Sequence, residues 1–191
     1  MTTMGTEQLF EQFKARAEGV SAEVHRYASE SEAVAFVLRF LQDEGAADAP
    51  QGYALWAGGP LRDRIDHDVA STVAGLKLAV SRELAADARV GISQVEWGLA
   101  NTGTLVQDST AVDQRLVSSL PAIHIAFVPT DSILPDMGAL LTKVDPQKMG
   151  YITMITGPSR TADIERVLTI GVHGPERLVI VCVDDMEPDG R

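Results

Sequence analysis

Apolar positions along this chain fall either at helical spacing or in short unbroken runs. From Thr6 to Ala17, Leu9, Phe10, Phe13 and Ala17 share one face of a helix that Gly19 can stop. Val34, Val37, Leu38 and Leu41 repeat that spacing in a second helix, which Ser31 caps and which runs to about Glu44 before Gly45. Tyr53 to Ala57, Leu76 to Val80, Val95 to Ala100, Ile123 to Val128, Tyr151 to Thr156 and Leu178 to Val183 read as strands. Asn101-Thr102-Gly103 reads as a turn into a return strand over Thr104 to Val106. Ser81 caps a short helix from Arg82 to about Ala88, and Thr130 or Ser132 caps one over Pro135 to Leu141. Strands alternating with helices predict an α/β fold with a mainly parallel central sheet. No internal repeat interrupts the plan, so residues 1–191 are expected to form one domain, with residues 1–30 as an appended helical arm.

Composition narrows the function classes. The chain is 45% hydrophobic and 23% charged, the balance of an ordinary globular protein. Its formal net charge is −11, from 27 acidic against 16 basic side chains. Phosphate neutralisation drives nucleic-acid binding, so this balance argues against such a partner and against an anionic membrane surface. No apolar run approaches membrane-spanning length and no basic-then-apolar leader is visible, so no membrane insertion and a cytoplasmic location are expected. Cys182 stands alone in V-I-V-C-V, which leaves no internal disulfide and no four-cysteine cluster set in the chain. His67 and His124 lack metal-ligand spacing, Asp63, Asp66, His67 and Asp68 read as a solvated helix face, and no metal site is expected.

Candidate chemistry concentrates near the C-terminus, in G-P-S-R-T-A-D-I-E (157–165) and G-V-H-G-P-E-R-L (171–178). Lying between two strand-like runs, these place Ser159, Arg160, Thr161, Asp163, Glu165 and His173 where an open parallel sheet binds ligands. Gly157 to Thr161 reads in two ways. It is an anion-binding nest with Arg160 as a charged fork, or a tight turn in which Thr161 caps a helix. His173, flanked by Gly174, has the pKa range of a general acid or base, and a structural loop histidine is the alternative. A Ser159, His173, Asp163 triad lacks the G-x-S-x-G context. The turn Asn101 to Thr104 either presents hydroxyls and N–H groups to a ligand or simply closes a hairpin. Glu96 is its nearest carboxylate.

Four motifs, R-V-G-I-S-Q-V-E-W-G-L-A-N-T-G-T-L-V, R-L-V-S-S-L-P-A-I-H-I-A-F-V, I-T-G-P-S-R-T-A-D-I-E and G-V-H-G-P-E-R-L-V-I-V, resemble the LUD-domain family, its lactate utilisation protein C (LutC/YkgG) type. The resemblance covers roughly Val90 to Asp185. It implies a three-layer α/β/α sandwich similar to the NagB/RpiA/CoA-transferase group. It also implies an accessory role in oxidising L-lactate to pyruvate beside iron–sulfur partner subunits (LutA/LutB-like), with no cofactor bound by this chain. Where the family usually reads A-E-T-G-T or A-E-S-G-T, this chain has Asn101, which hydrogen-bonds but is neither nucleophile nor carboxylate base. The expected pocket takes a small anionic ligand on Asn101, Thr102, Gly103, Thr104, Gly157, Pro158, Ser159, Arg160, Thr161, Asp163 and Gly174, with Glu96 and His173 as catalytic candidates. A stand-alone enzyme acting on a sugar phosphate, folate or acyl-CoA, and a ligand-free regulatory or assembly subunit, are the competing expectations.

Overall fold

The computed structural model describes residues 5–65, 67–145, 147–160 and 174–186. In chain order the first half contains α1 (Thr6–Gly19), β1 (Glu23–Tyr27), α2 (Glu30–Asp43), β2 (Tyr53–Trp56), α3 (Pro60–Arg64), α4 (His67–Ala70), β3 (Leu76–Lys77), α5 (Arg82–Ala86) and β4 (Ala88–Gln94). The second half adds β5 (Trp97–Leu99), β6 (Thr104–Asp108), α6 (Val112–Ser119), β7 (Ile123–Pro129), β8 (Ile133–Leu134), α7 (Met137–Leu141), β9 (Ile152–Ile155) and β10 (Arg177–Val183).

The six-stranded central sheet runs β1-β10-β7-β4-β2-β3 with every pairing parallel. Its middle strands are buried on both faces, which is why β7 and β10 are almost unbroken apolar runs. Alternate residues serve the two faces. Ile123, Ile125, Phe127, Val179, Val181 and Val183 meet Ala33, Val34, Val37 and Leu41 of α2 and Leu61 of α3. Trp56 stacks on Phe127 in that layer, with centroids 5.4 Å apart. On the opposite face Ala126, Val128, Leu178, Ile180 and Cys182 pack against Phe10, Phe13 and Ala17 of α1 and against Leu105 and Ile133. Farther along that face, Leu55, Ala57 and Ala88 meet Ala85 of α5 and Val117 of α6. Gly91 permits this contact, because a Cβ there would overlap the Val117 carbonyl oxygen. The result is the predicted α/β fold with helices on both faces of a parallel sheet.

A second sheet, β8-β5-β6-β9, lies over the α1 side. β6 pairs antiparallel with β5 and β9, while β5 and β8 are parallel. One of its faces joins the central core, and the other, with Leu99 and Val106, packs against Leu140 of α7.

Several elements differ from the sequence expectation. Within the segment expected as an appended arm, α1 instead forms part of the core and β1 pairs with β10 along its whole length. The strand at 151–156 is not a core strand of the parallel sheet but the half-exposed edge of the small one. Ser29, not Ser31, caps α2 by accepting the Glu32 N–H. Asp136 caps α7, and Thr130–Ser132 form a 3-10 turn instead of a cap. β4 and α6 were not predicted. Among the described residues no helix is long and apolar enough to cross a membrane.

Candidate functional site

The structure brings two of the predicted loops together, around the C-terminal end of α1. Gly157 has φ +72°, and a Cβ there would lie 2.5 Å from the Val20 carbonyl oxygen. Arg160 folds back over the same turn, its Nη2 donating to Val20 O (2.9 Å) and Ser21 Oγ (3.0 Å). The Ser159 N–H donates to Pro175 O at 2.8 Å, and Gly174 lies against the Ser159 side chain. Gly157 and Pro158 are buried, whereas Arg160 is exposed. From the other side, Thr104 Oγ1 donates to Thr102 Oγ1 (2.7 Å) and shares a hydrogen bond with Thr156 Oγ1 (2.8 Å). Gly103, at φ +67°, lets this turn sit directly on the α1 backbone at Arg16 and Ala17. A shallow hollow of about 390 Å³ between them is lined by Arg16, Gly19, Val20, Asn101, Thr102 and Thr156. Its floor is a helix C-terminus, where carbonyl groups leave partial negative charge. Thr161, Asp163, Glu165 and His173 lie outside the described residues.

Glu96 stands apart from that group, at the open end of the β5–β6 hairpin, opposite the Asn101 turn. There its Oε2 accepts the Asp108 N–H at 2.5 Å. Asn101 is exposed, and its backbone N–H is held by Pro135 O at 3.2 Å.

A second polar group lies at the carboxyl ends of the central strands. The chain leaves β2 toward the α2 face, through Gly58, Gly59 and Leu61, and leaves β4 toward the opposite face, through Val95. Such a reversal opens a crevice between neighbouring strands. Neutral side-chain amides fill it. Gln94 Oε1 accepts the Leu61 N–H (3.0 Å), Gln114 Nε2 donates to Gly58 O (2.5 Å), and Gln107 Nε2 donates to Gln114 Oε1 (3.0 Å). Ser109 Oγ completes the chain by donating to Gln107 Oε1 at 3.1 Å, and Asp113 accepts the Gly58 N–H at 2.9 Å. Gln94, Gln107 and Gln114 are all buried, and Gln94 Nε2 has no partner. Deeper still, Ser93 Oγ and His124 Nε2 are 2.8 Å apart. Burial pushes the His124 pKa down to about 4, so the ring is neutral at pH 7. Both side chains are fully buried, which makes the pair part of the packing rather than a reactive centre. Burial likewise pushes the Cys182 thiol up to about 12, leaving it protonated and inert at neutral pH.

None of these glutamines was singled out from the sequence. The one available signal was Gly58-Gly59-Pro60 directly after a strand. Among the described residues no group of three or more His, Cys, Asp or Glu side chains is placed to hold a metal ion.

With two sheets, helices on both faces and this crevice in view, the LUD domain profile is found to match residues 10–183. The chain belongs to the LUD domain family. "Lactate utilization protein C" of Exiguobacterium sp. is 38% identical over 112 residues, 56% of this chain and 49% of the relative. The protein of the same name from Bacillus subtilis is 40% identical over 107 residues, 53% of this chain and 45% of the relative. "Uncharacterized protein YkgG" of Escherichia coli is 35% identical over 107 residues, 53% of this chain and 46% of the relative. The chain thus spans about half the length of the curated relatives it matches. A crystal structure of a DUF162-family protein from Deinococcus radiodurans superposes on this LUD domain with a TM-score of 0.66. It covers 95% of this chain and 99% of its own at 20% identity, a likeness of fold.

Proposed function

We propose that this LUD-domain chain serves L-lactate utilisation, holding a small carboxylate beside iron–sulfur partner subunits that accept the electrons. The observation that carries the reading is the similarity to relatives named for lactate utilisation, at 38 to 40% identity. The chemistry of the chain agrees with this division of labour. Oxidising lactate to pyruvate releases two electrons, and a chain with one cysteine, buried and protonated, cannot supply the thiolates of a four-cysteine cluster. What it does supply is a parallel sheet whose carboxyl ends carry neutral amides, with Gln94 Nε2 left without a partner among them.

Deletion of the gene from its native host, with growth compared on L-lactate and on glucose as sole carbon source, tests the reading. Growth is expected to fail on L-lactate alone and to return on complementation. An anaerobic affinity purification of the tagged chain from lactate-grown cells is expected to bring down iron–sulfur proteins in stoichiometric amount, visible by their charge-transfer absorption. Normal growth of the deletion strain on L-lactate would overturn the proposal.

A further inference from the structure

A hollow of about 520 Å³ lies on the α2 face of the central sheet, at the carboxyl ends of β1 and β10. Ser29 and Asp185, both in its lining, stand two positions beyond Tyr27 and Val183, the last pair of those strands in register. Parallel sheets bind ligands at this end, and the volume lies within the range of small-molecule pockets. The walls are apolar: Val34 and Leu38 of α2, Leu61 of α3, Ile65 just beyond it and Val69 of α4. Val34 and Leu61 are buried, whereas Val69 is 40% exposed.

The charged groups of the hollow fix the sign of its ligand. Arg64 is committed to Glu30: its Nε donates to Oε2 at 3.3 Å and its Nη2 to Oε1. At the start of α2, Asp185 Oδ1 accepts the Glu30 N–H (2.8 Å), so an anion arriving at that helix end meets a carboxylate already seated there. Two carboxylates and one guanidinium line the hollow, and Glu30 satisfies the guanidinium. Asp185 is then the charge with no ion-pair partner among the described residues. It is exposed, it spends one oxygen on the Glu30 N–H, and an ionised carboxylate has further acceptor sites to offer a donor. In a chain of net charge −11 the surrounding field attracts cations and repels anions. Apolar walls beside one acceptor carboxylate suit an ammonium carried on an apolar body.

We infer that this hollow binds a small organic amine, its ammonium on Asp185 and its apolar body against Val34, Leu38, Leu61, Ile65 and Val69. The amine site stands apart from lactate utilisation, and either can fail without the other.

Three probes that share a phenyl body and differ in charge test the site: 2-phenylethylamine, 2-phenylethanol and phenylacetate. Calorimetric titration of the unmodified chain at pH 7 is expected to show saturable binding of the amine, about tenfold weaker binding of the alcohol and none of the carboxylate. Asp185→Asn keeps an acceptor for the Glu30 N–H and should bring the amine down to the affinity of the alcohol. Ala35 also lines the hollow, from the exposed surface of α2. Ala35→Trp should therefore fill it and abolish binding of amine and alcohol alike, with an unchanged melting temperature showing that the fold survives. No saturable binding of the amine, the carboxylate bound as tightly as the amine, or amine affinity unchanged in Asp185→Asn would each overturn the inference.

Discussion

The central and the small sheet occupy the same protein under opposite physical regimes. Strand β7 is buried at all seven positions and β10 at six of seven, so water reaches the middle of the parallel sheet from neither face. Edge strand β9 has no fully buried residue, and Met154 on it is 46% exposed. In the middle of the central sheet side chains are held by neighbours from two layers, and the buried Ser93 and His124 share a hydrogen bond, with His124 Nδ1 left without a partner. Around the small sheet lie the hydroxyl chain of Thr102, Thr104 and Thr156 and the partly exposed Trp97. Packing is thereby concentrated in the central sheet, and a change at the exposed edge of the small one need not weaken it.

The largest expected effect breaks the central sheet. Phe127→Ala removes a fully buried ring stacked on Trp56 and should cost about 3–5 kcal/mol in urea unfolding. Next comes acid. Because the His124 pKa falls from 6.5 to about 4 on folding, the unfolded chain takes up a proton that the folded chain refuses. The stability tied to this residue is complete above pH 6.5 and is lost as the pH falls from 6.5 to 4, about 3 kcal/mol in all. His124→Gln should remove that portion of the slope, read as a smaller loss of stability between pH 7 and pH 4 than in the unmodified chain. A slope unchanged by the substitution would mean that other groups set the acid sensitivity. The smallest effect is expected on the small sheet, where Met154→Ala should change stability by less than about 0.5 kcal/mol. A loss comparable with that of Phe127→Ala would erase the contrast between the sheets.

How much of this could be read from the chain follows the same contrast. β7, β10, α1 and α2 were legible because burial on a long face leaves an apolar period or run. β4 was not, although it lies at the centre of the sheet. Arg89, Gly91, Ser93 and Gln94 interrupt its apolar pattern, since Gly91 admits α6 and the polar pair serves buried hydrogen bonds. α6 escaped because it has only eight residues and buries Gln114 beside Val117. The run at 151–156 has strand character, but no local pattern says which of two sheets a strand joins. The loop at Gly157 and the Asn101 turn both read as turns in the sequence, and Gly157 and Gly103 do have positive φ. What local pattern could not convey is that both press against α1, nor that neutral glutamines far apart in the chain would meet at one crevice.

The pairing of β1 with β10 has a further consequence, for the order in which the protein can assemble. Arg177 reaches across that pair to Glu23, 154 positions away, and also to Glu44. During synthesis β1 emerges long before β10, its neighbour in the sheet among the described residues. Parallel pairing between such distant segments is slow because the loop must close before any contact forms. Until β10 has been made, β1 has no strand partner on the sheet, so the nascent chain carries an open strand edge for most of the domain's synthesis.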